Sequence, residues 1–348
     1  MTDLSLIVLT WNTRELVIEC LDQLERELKD ATGSGGFSAE VWVVDNGSRD
    51  GTAEAIRTRF PKVRLIVLPE NVGFASGNNA GLTQVNGRIV CLLNSDVLIP
   101  RGALERCIDV FDGMPNVGAA GLQLLHPDGR LQNSIHAFPG FWNELCPTAL
   151  AEWLFPKRFP SKRRPIRRIT SVPAVRGAVF FVRNEIIAGV GMLCEDYFFF
   201  LEETDWCWRI REAGWDVVHV PDAQAIHSSG FSSKRIDPLR TRIEFHRSLY
   251  RFVRLRRGTR EAAAVRWLRV TKVIGAGLLL AFAAPFGPRF RRRFRERWGL
   301  VAWHLRGCPA EAGLSAMAAH AATLDAAVQK REPPEPESLL PRVPGGRE

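Results

Sequence analysis

Three carboxylates crowd into four positions of the sequence, at Glu202, Glu203 and Asp205. They begin a stretch with helical patterning and directly follow an aromatic run at residues 197–200. Acidic residues near a helix N-terminus are favoured by the helix dipole, but that role needs only one or two of them. Desolvation and like charge raise the pKa of a carboxylate, and a base tuned in this way suits a hydroxyl nucleophile. The cluster is therefore a candidate for catalysis.

Further polar side chains stand where short apolar runs end. Asp45 ends one run and begins the turn Asp-Asn-Gly-Ser, and Asn94-Ser95-Asp96 ends another. A carboxylate such as Asp45 can accept hydrogen bonds from a base or ribose edge. The pair Asn94 and Asp96 suits a hard divalent cation that also binds a diphosphate. Either motif alone is typical of an ordinary turn.

A glycine-rich segment, NVGFASGNNAG at 71–81, leads into a helical pattern. Its small residues allow close backbone approach and leave helix N–H groups free for an anion. The chain has neither the Gly-Lys-Ser/Thr of a phosphate-binding loop nor a GxGxxG pattern, so the common ATPase and dehydrogenase motifs are absent. His227, in Ile-His-Ser-Ser-Gly, is either a functional residue or an ordinary loop histidine.

These residues need elements that bring them together. Buried strands are predicted at 4–9, 41–44, 65–68 and 89–93, and helices at 14–29, 52–59 and 75–84. This order predicts an α/β fold with a mostly parallel sheet and helices on both faces. Ligands of such sheets bind at the carboxyl ends of the strands, where three of the polar clusters fall.

Taken in order, the motifs resemble those of the family-2 inverting glycosyltransferases of the GT-A fold, and within them a bacterial rhamnosyltransferase-like branch. The matching segments are LIVLTWN at 6–12, VVDNGSRDGT at 43–52, NVGFASGNNAG at 71–81, LLNSDV at 92–97, RGAVFFVRN at 176–184, FFFLEETDWCWRIREAGW at 198–215 and IHSSGFS at 226–232. The resemblance implies a Rossmann-like domain that transfers a sugar with inversion, from a nucleotide-diphosphate donor to a hydroxyl of a glycan or lipid-linked acceptor in cell-surface polysaccharide synthesis. Rhamnose is suggested by the branch alone.

The resemblance also implies roles on the donor side. Asp45 would hold the nucleobase, and Asp96 would hold a Mg²⁺ or Mn²⁺ ion on the diphosphate, with His227 as a further ligand. Asn94 stands where many relatives have a first Asp, which leaves Asp96 as the only carboxylate of that motif. The other residues expected to bind the donor are Thr10, Asn12, Asn46, Gly73 and Asn78.

On the acceptor side, the same resemblance implies that Glu203 is the base, with Glu202 and Asp205 in support. Arg176 and Gly177 would line the acceptor side of the binding site. Glu203 stands where Asp is frequent, and its longer side chain leaves the assignment open between Glu203 and Asp205.

The charge of the chain is uneven. The net charge is +9, yet residues 231–306 contain 20 basic and 4 acidic residues. Within them the apolar stretch 273–286 is too short to span a bilayer simply, and arginines flank it on both sides. This pattern fits an interfacial element, in which residues 236–306 bind an anionic membrane surface. The alternative is a basic helix packed on the catalytic body.

The predicted organisation is a GT-A catalytic domain at 1–235, a basic helical extension at 236–332 and a disordered tail at 333–348. Residues 157–168 predict a mobile loop, and residues 314–328 predict a further helix. No basic, cleavable leader is apparent at the N-terminus. We expect a cytoplasmic protein, peripheral on the inner face of the cell membrane, where a polyprenol-linked acceptor would lie.

Composition and motifs weigh against other classes. Seven cysteines without a CxxC pair disfavour a disulfide framework and a structural zinc site, and fit a reducing compartment. A nucleotidyltransferase would need a glycine-rich loop with Arg or Lys after the first strand, where Thr10-Trp11-Asn12 stands. Nucleic acid is not an expected partner, because the basic and aromatic recognition modules are absent. A catalytically inactive, sugar-nucleotide-binding relative is the remaining alternative, and the intact acidic cluster disfavours it.

Overall fold

The computed structural model describes residues 2–33, 36–146, 152–154, 166–228 and 237–318. The predicted tail at 333–348, nearly all of the predicted loop at 157–168 and the domain boundary predicted at 235 lie outside these residues. The predicted helix at 314–328 is described only at 314–318, which are helical.

The first part of the chain alternates strands and helices in the predicted order. The strands are β1 (Leu4–Thr10), β2 (Ala39–Asp45), β3 (Arg64–Val67), β4 (Ile89–Asn94), β5 (Val97–Leu98), β6 (Val117–Leu125), β7 (Ile135–His136), β8 (Thr170–Ser171), β9 (Ala174–Val175), β10 (Val179–Arg183) and β11 (Asp216–His227). The helices are α1 (Arg14–Gly33), α2 (Thr52–Arg59), α3 (Phe74–Leu82), α4 (Ala103–Gly113), α5 (Phe141–Leu145), α6 (Ile187–Val190), α7 (Glu202–Glu212), α8 (Pro238–Arg257), α9 (Thr259–Ala283) and α10 (Pro288–Leu305). The predicted βα order is confirmed, with bounds shifted by a few residues.

One large sheet forms the centre of the molecule, in the order β3-β2-β1-β4-β10-β6-β11-β5, with β8 paired to β11. The four strands from β3 to β4 run parallel, whereas β10 is antiparallel to both of its neighbours. Thr10 of β1 lies opposite Asp45 of β2, and Leu9 lies opposite Asn94 of β4. The register therefore brings the three polar strand ends to one edge, as predicted from the sequence.

Alternation along β1 explains why helices cover both faces. Leu4, Leu6 and Val8 pack into one core cluster that includes the apolar face of α1. Ile7 points to the other face, where it packs with a second cluster that includes Ala75 of α3. A strand buried on both faces reads as a continuous apolar run, which is the pattern of residues 4–9.

The basic extension packs directly on the sheet domain through α8. Phe252 is fully buried, and its ring lies 5.9 Å from the Trp208 ring on α7 and 6.2 Å from the Phe138 ring. Ser248 donates a hydrogen bond of 2.9 Å to the carbonyl of Phe199, in the segment just before α7. The helix thus supports the part of the chain that carries the acidic cluster.

Asp205 makes the strongest electrostatic link between the domain and the extension. Its side chain is fully buried on α7 and accepts hydrogen bonds from Arg209 Nε at 3.0 Å and from Arg256 Nε of α8 at 2.6 Å. The Tyr197 hydroxyl also lies 3.3 Å from this carboxylate. A buried charge that loses its partners is very costly, so this cluster holds α7 and α8 in one relative position.

No helix in the described part of the chain is long and apolar enough to cross a membrane. The apolar stretch 273–286 forms the end of α9 and the turn that follows it.

We expect Asp205→Ala to lower the free energy of unfolding by about 3–5 kcal/mol, because two half-buried arginines lose the buried carboxylate that pairs with them. The measurement is urea denaturation at neutral pH. Asp196→Ala is the matched control, since Asp196 pairs with Arg251 of α8 but its side chain is 59% exposed. Loss of that exposed pair should cost less than about 1 kcal/mol. Equal losses in the two variants would contradict the structural role given to Asp205.

Candidate active site

A cavity of about 400 Å³ lies where the carboxyl ends of β1 and β4 approach the N-terminus of α7. Ten of the fourteen residues expected from the sequence line this site cavity: Thr10, Asn46, Gly73, Asn94, Asp96, Arg176, Gly177, Glu202, Glu203 and His227. The other four, Asn12, Asp45, Asn78 and Asp205, are not among its lining residues. Seven separate stretches of sequence therefore converge on one cavity.

Hydroxyl groups join the strand ends beneath the cavity. The Thr10 hydroxyl lies 2.9 Å from that of Thr13 at the start of α1, and Thr13 lies 2.9 Å from the Ser95 hydroxyl. All three side chains are buried. This chain of hydrogen bonds fixes the turn at residues 94–96 against β1.

Asn46 organises the glycine-rich segment. Its amide donates to Asn71 Oδ1 at 3.1 Å and to the Gly73 carbonyl at 3.0 Å, while its Oδ1 accepts from the Val72 N–H at 3.0 Å. Gly73 has φ +92°, and a Cβ there would lie 2.6 Å from the carbonyl oxygen of Phe198. The segment therefore lies against the aromatic run only because this position has no side chain.

Asp45 is placed behind this segment and is 1% exposed. One carboxylate oxygen accepts from the Ser48 N–H at 3.0 Å, and the other has no hydrogen-bond partner within the described ranges. Burial raises the pKa of this carboxyl, against the hydrogen bonds from Ser48. An unpaired buried carboxylate oxygen is costly to the free protein and marks a position where a donor group of a ligand would be favoured.

Two of the remaining residues make local structural contacts. Asn12 has φ +50° and accepts a hydrogen bond from the Arg49 N–H at 2.8 Å, which ties together the turns after β1 and β2. Asn78 is 1% exposed and donates to the Phe74 carbonyl one helical turn earlier, at 2.9 Å. These contacts shape the loops around the cavity.

Asp96 and His227 face each other at the cavity. His227 Nδ1 donates to Gln132 Oε1 at 2.6 Å, and its Nε2 lies 3.4 Å from Asp96 Oδ1. An imidazole nitrogen and a carboxylate oxygen both serve as ligands of divalent cations, so the pair is a candidate for binding one. The outer hydrogen bond of a metal-bound histidine has the form seen at Gln132. The described residues hold no group of three or more His, Cys, Asp or Glu suited to a metal, so a cation here would need oxygen ligands from a substrate or water.

Backbone strain marks the start of α7. Phe200 has φ +75° and Leu201 has φ +68°, two consecutive non-glycine residues in the left-handed region. Such conformations cost about 1–3 kcal/mol each and persist where the surroundings impose them. Here they bend the chain so that the aromatic run lines the cavity. The same bend places Glu202 and Glu203 at the cavity.

Burial dominates the electrostatics of the two glutamates. It raises the pKa of Glu203, and the nearby Arg176 opposes that rise. Burial also raises the pKa of Glu202 well above its ordinary value, with a further contribution from the charge of Glu203. Glu202 Oε2 is buried, and no partner for it occurs in the part of the chain that the structure describes. Gly177 makes room for this pair, because a Cβ there would lie 3.3 Å from Glu203 Cγ.

Some lining residues carried no signal in the sequence. His136 of β7, Phe245 of α8 and Leu314 and Met317 after α10 all line the cavity. All four lie outside the sequence motifs. Phe245, Leu314 and Met317 belong to the basic extension, which was predicted to be separate from the catalytic domain. The packing of α8 on α7 brings these three residues near the cavity.

Comparison with known proteins identifies the chain. The family model for "Glycosyl transferase family 2" matches residues 5–186, more than half of the sequence. The chain belongs to glycosyl transferase family 2. The family predicted from the sequence is thereby confirmed. The matched range of this family-2 enzyme contains the glycine-rich segment and strands β2 to β10, whereas β11 and the acidic cluster lie beyond it.

Two relatives of this family-2 enzyme are named for sugar transfer or polysaccharide synthesis. The chain is 28% identical over 268 residues to the N-acetylglucosaminyl-diphospho-decaprenol L-rhamnosyltransferase of Mycobacterium tuberculosis, covering 70% of this chain and 84% of the relative. It is 29% identical over 130 residues to the succinoglycan biosynthesis protein ExoO of Rhizobium meliloti, covering 37% and 35% of the two chains. The predicted rhamnosyltransferase-like character is confirmed at the level of family and similarity.

A solved structure confirms the fold. The structure of GalNAc-T7 with UDP, GalNAc and Mn²⁺ has a TM-score of 0.52 to this family-2 enzyme, with 12% identity, and covers 88% of this chain and 58% of that one. The predicted GT-A architecture, a mostly parallel sheet flanked by helices with a helical C-terminal region, is the architecture observed.

We expect the stability of the free enzyme to fall as the pH rises above about 4.5, the ordinary pKa of a glutamate. Burial raises the pKa of Glu202 in the folded state, so the folded protein binds more protons than the unfolded chain between the two pKa values. Glu202→Gln should reduce this fall. The measurement is the free energy of unfolding at several pH values from about 5 to about 9.

Glu54→Gln is the control for this pH series, because the Glu54 side chain is 80% exposed. Its stability should follow that of the wild type across the range. If Glu202→Gln lost stability as steeply as the wild type, the buried carboxylate would not be the source of the pH dependence.

Proposed function

We propose that this enzyme transfers a sugar, with L-rhamnose as the first candidate, from a pyrimidine nucleoside diphosphate to a hydroxyl of a polyprenol-linked glycan, with inversion at the anomeric carbon. The observation that carries the proposal is that Glu203, Asp96 and His227 line one cavity in a family-2 chain. The similarity to a decaprenol-linked rhamnosyltransferase supports the choice of sugar and acceptor.

The donor binds at the strand ends in this proposal. Asp45 does not line the cavity in the free protein, so its unpaired carboxylate oxygen receives a donor group of the nucleotide only after the adjoining loops shift on binding. Asn46 holds the glycine-rich segment beside it. Asp96 and His227 hold a Mg²⁺ or Mn²⁺ ion. When bound, such an ion neutralises charge on the leaving diphosphate.

Glu203 is the proposed base. It takes the proton of the acceptor hydroxyl while that oxygen forms a bond to the anomeric carbon, and the bond from this carbon to the diphosphate breaks on the opposite face. Burial raises the proton affinity of Glu203, and the positive charge of Arg176 opposes this rise. The two effects together suit a base that works near neutral pH. Asp205 is assigned a positioning role instead, because its carboxylate is bonded to two arginines and does not line the cavity.

The two principal variants should fail in different ways. Glu203→Gln should lower the rate of transfer about 10²- to 10⁴-fold, the usual contribution of a general base, while leaving donor binding intact. Asp96→Ala should lose both transfer and the Mn²⁺-dependent part of donor binding. Initial rates report transfer, and the shift in melting temperature with a panel of nucleoside diphosphate sugars, with and without Mn²⁺, reports binding. A ligand at about 100 times its Kd adds about 2.7 kcal/mol of stability, which such a panel detects.

Glu212→Gln, at the exposed C-terminal end of α7, is the matched control and should retain full activity. Normal turnover by Glu203→Gln would remove Glu203 from the mechanism. An absence of any shift with every pyrimidine diphosphate sugar would contradict the proposed donor.

The arginines of the extension fall into two groups. Arginines of α8 and α9 bind the sheet domain: Arg251 pairs with Asp196, Arg256 with Asp205, Arg257 with the Pro139 carbonyl and Arg269 with Glu144. A second group on α10 is exposed: Arg289, Arg291, Arg292, Arg293 and Arg295. The first group packs on the catalytic body, as in one of the two alternatives drawn from the sequence. The exposure of the second group supports the other alternative, in which the extension binds a membrane surface.

Large apolar side chains stand beside the exposed arginines. At the end of α9 and in the following turn, Leu279 is 74% exposed, Phe282 is 79% exposed and Phe286 is 82% exposed. Aromatic and aliphatic side chains next to cations suit the interface of an anionic bilayer. We propose that this surface, the α9–α10 tip, docks the enzyme on the cytoplasmic face of the membrane that carries its acceptor.

Replacing Arg289, Arg291 and Arg293 with Gln should weaken binding to anionic vesicles about 100-fold, since each cation near the surface contributes about 1 kcal/mol. Vesicle sedimentation at low salt measures this. The matched control replaces three exposed cations of the sheet domain, Arg26, Arg57 and Lys62, with Gln and should bind as the wild type does. Equal effects of the two triple variants would show that net charge, and not the α9–α10 tip, governs binding.

A further inference from the structure

The segment that follows α10, here termed the C-terminal strap (residues 309–318), is fixed to α8 by a buried ion pair. Glu244 is 1% exposed, and its Oε2 lies 3.0 Å from Arg247 Nη1. The same oxygen accepts hydrogen bonds from the N–H groups of Leu314 at 3.0 Å and Ser315 at 3.3 Å. The carboxylate thus caps the helical turn that begins at Leu314.

Arg247 secures the rest of the strap. It donates to the carbonyls of Pro309 at 3.3 Å and Ala310 at 3.1 Å. Gly313 has φ +102°, and a Cβ at this position would lie 2.6 Å from Glu244 Oε2. The strap therefore has a built contact with α8 that excludes a side chain at its bend.

One face of the strap lines the site cavity. Leu314, Met317 and Ala318, at helical spacings of three and four, all border the cavity, and Leu314 and Ala318 are buried. Phe245 of α8 borders it as well, and its ring packs edge-on against that of Phe200 with centroids 5.8 Å apart. Together these five side chains form a continuous apolar wall.

The apolar wall lies on the α7 side of the cavity. Phe200 comes two residues before Glu202 and three before the proposed base, whereas the donor contacts come from the ends of β1 and β2. A substrate hydroxyl in reach of Glu203 would carry its own attached groups past this wall. The wall offers no hydrogen-bonding side chain, so it favours hydrocarbon over sugar.

We infer, on the basis of the proposed transfer reaction, that Leu314 and Met317 bind the hydrocarbon of the lipid-linked acceptor next to its head group. They thereby select lipid-linked acceptors over soluble ones. Glu244 and Arg247 are positioning residues, which act only by holding the strap in place.

The test compares two acceptors for Met317→Ala: N-acetylglucosaminyl-diphospho-decaprenol and the same head group without the prenyl chain. For the lipid-linked acceptor we expect KM to rise about tenfold, as for loss of a buried apolar side chain. KM for the donor and KM for the soluble head group should stay unchanged. Leu305→Ala is the control, since Leu305 lies on α10 with 75% exposure and outside the cavity.

Arg247→Met should produce the same split between the two KM values, and Arg247→Lys should recover part of the loss. A rise in donor KM that matches the rise in acceptor KM would overturn the inference, as would an unchanged KM for the lipid-linked acceptor. Equal use of the two acceptors by the wild type overturns the inference and leaves the proposed transfer standing. Transfer to neither acceptor overturns the proposed function itself.

Discussion

The arrangement of the site depends on one buried electrostatic cluster, the carboxylate of Asp205 between Arg209 and Arg256. It ties the helix that carries the glutamates to the first helix of the extension. It therefore helps to support the two strained residues before α7, since strained backbone persists only where its surroundings impose it. The extension is thus a structural part of the site as well as a proposed membrane anchor.

Several features of the site lower the stability of the folded protein. A carboxylate oxygen of Asp45 and one of Glu202 are both buried without partners in the described part of the chain. Each reduces the stability of the free protein, because buried polar groups without partners are unfavourable. The interlocked cores on both faces of the sheet supply the compensating stability. Glu202 lines the cavity, so its carboxylate is already oriented towards a ligand there.

Much of the fold and of the site could be predicted because the signals are local. Buried strands read as apolar runs, polar residues mark their ends, and parallel pairing then brings Asp96 and Asn46 to one edge. The role of Asp205 could not be predicted in this way. It shares its cluster with two glutamates of similar chemistry, and its partner Arg256 lies 51 residues further along the chain. The lining role of Met317 depends on the packing of α8 and has no local signature.

The division of the cavity between distant parts of the chain has a consequence for how such enzymes diversify. The ends of β1, β2 and β4 and the glycine-rich segment lie within residues 5–186, the range of the family model, whereas the strap lies beyond residue 300. If the strap binds the acceptor as proposed, substitutions in it would alter the choice of acceptor without disturbing the sheet. Related enzymes that share one donor would then differ in their use of lipid-linked acceptors through changes confined to this segment.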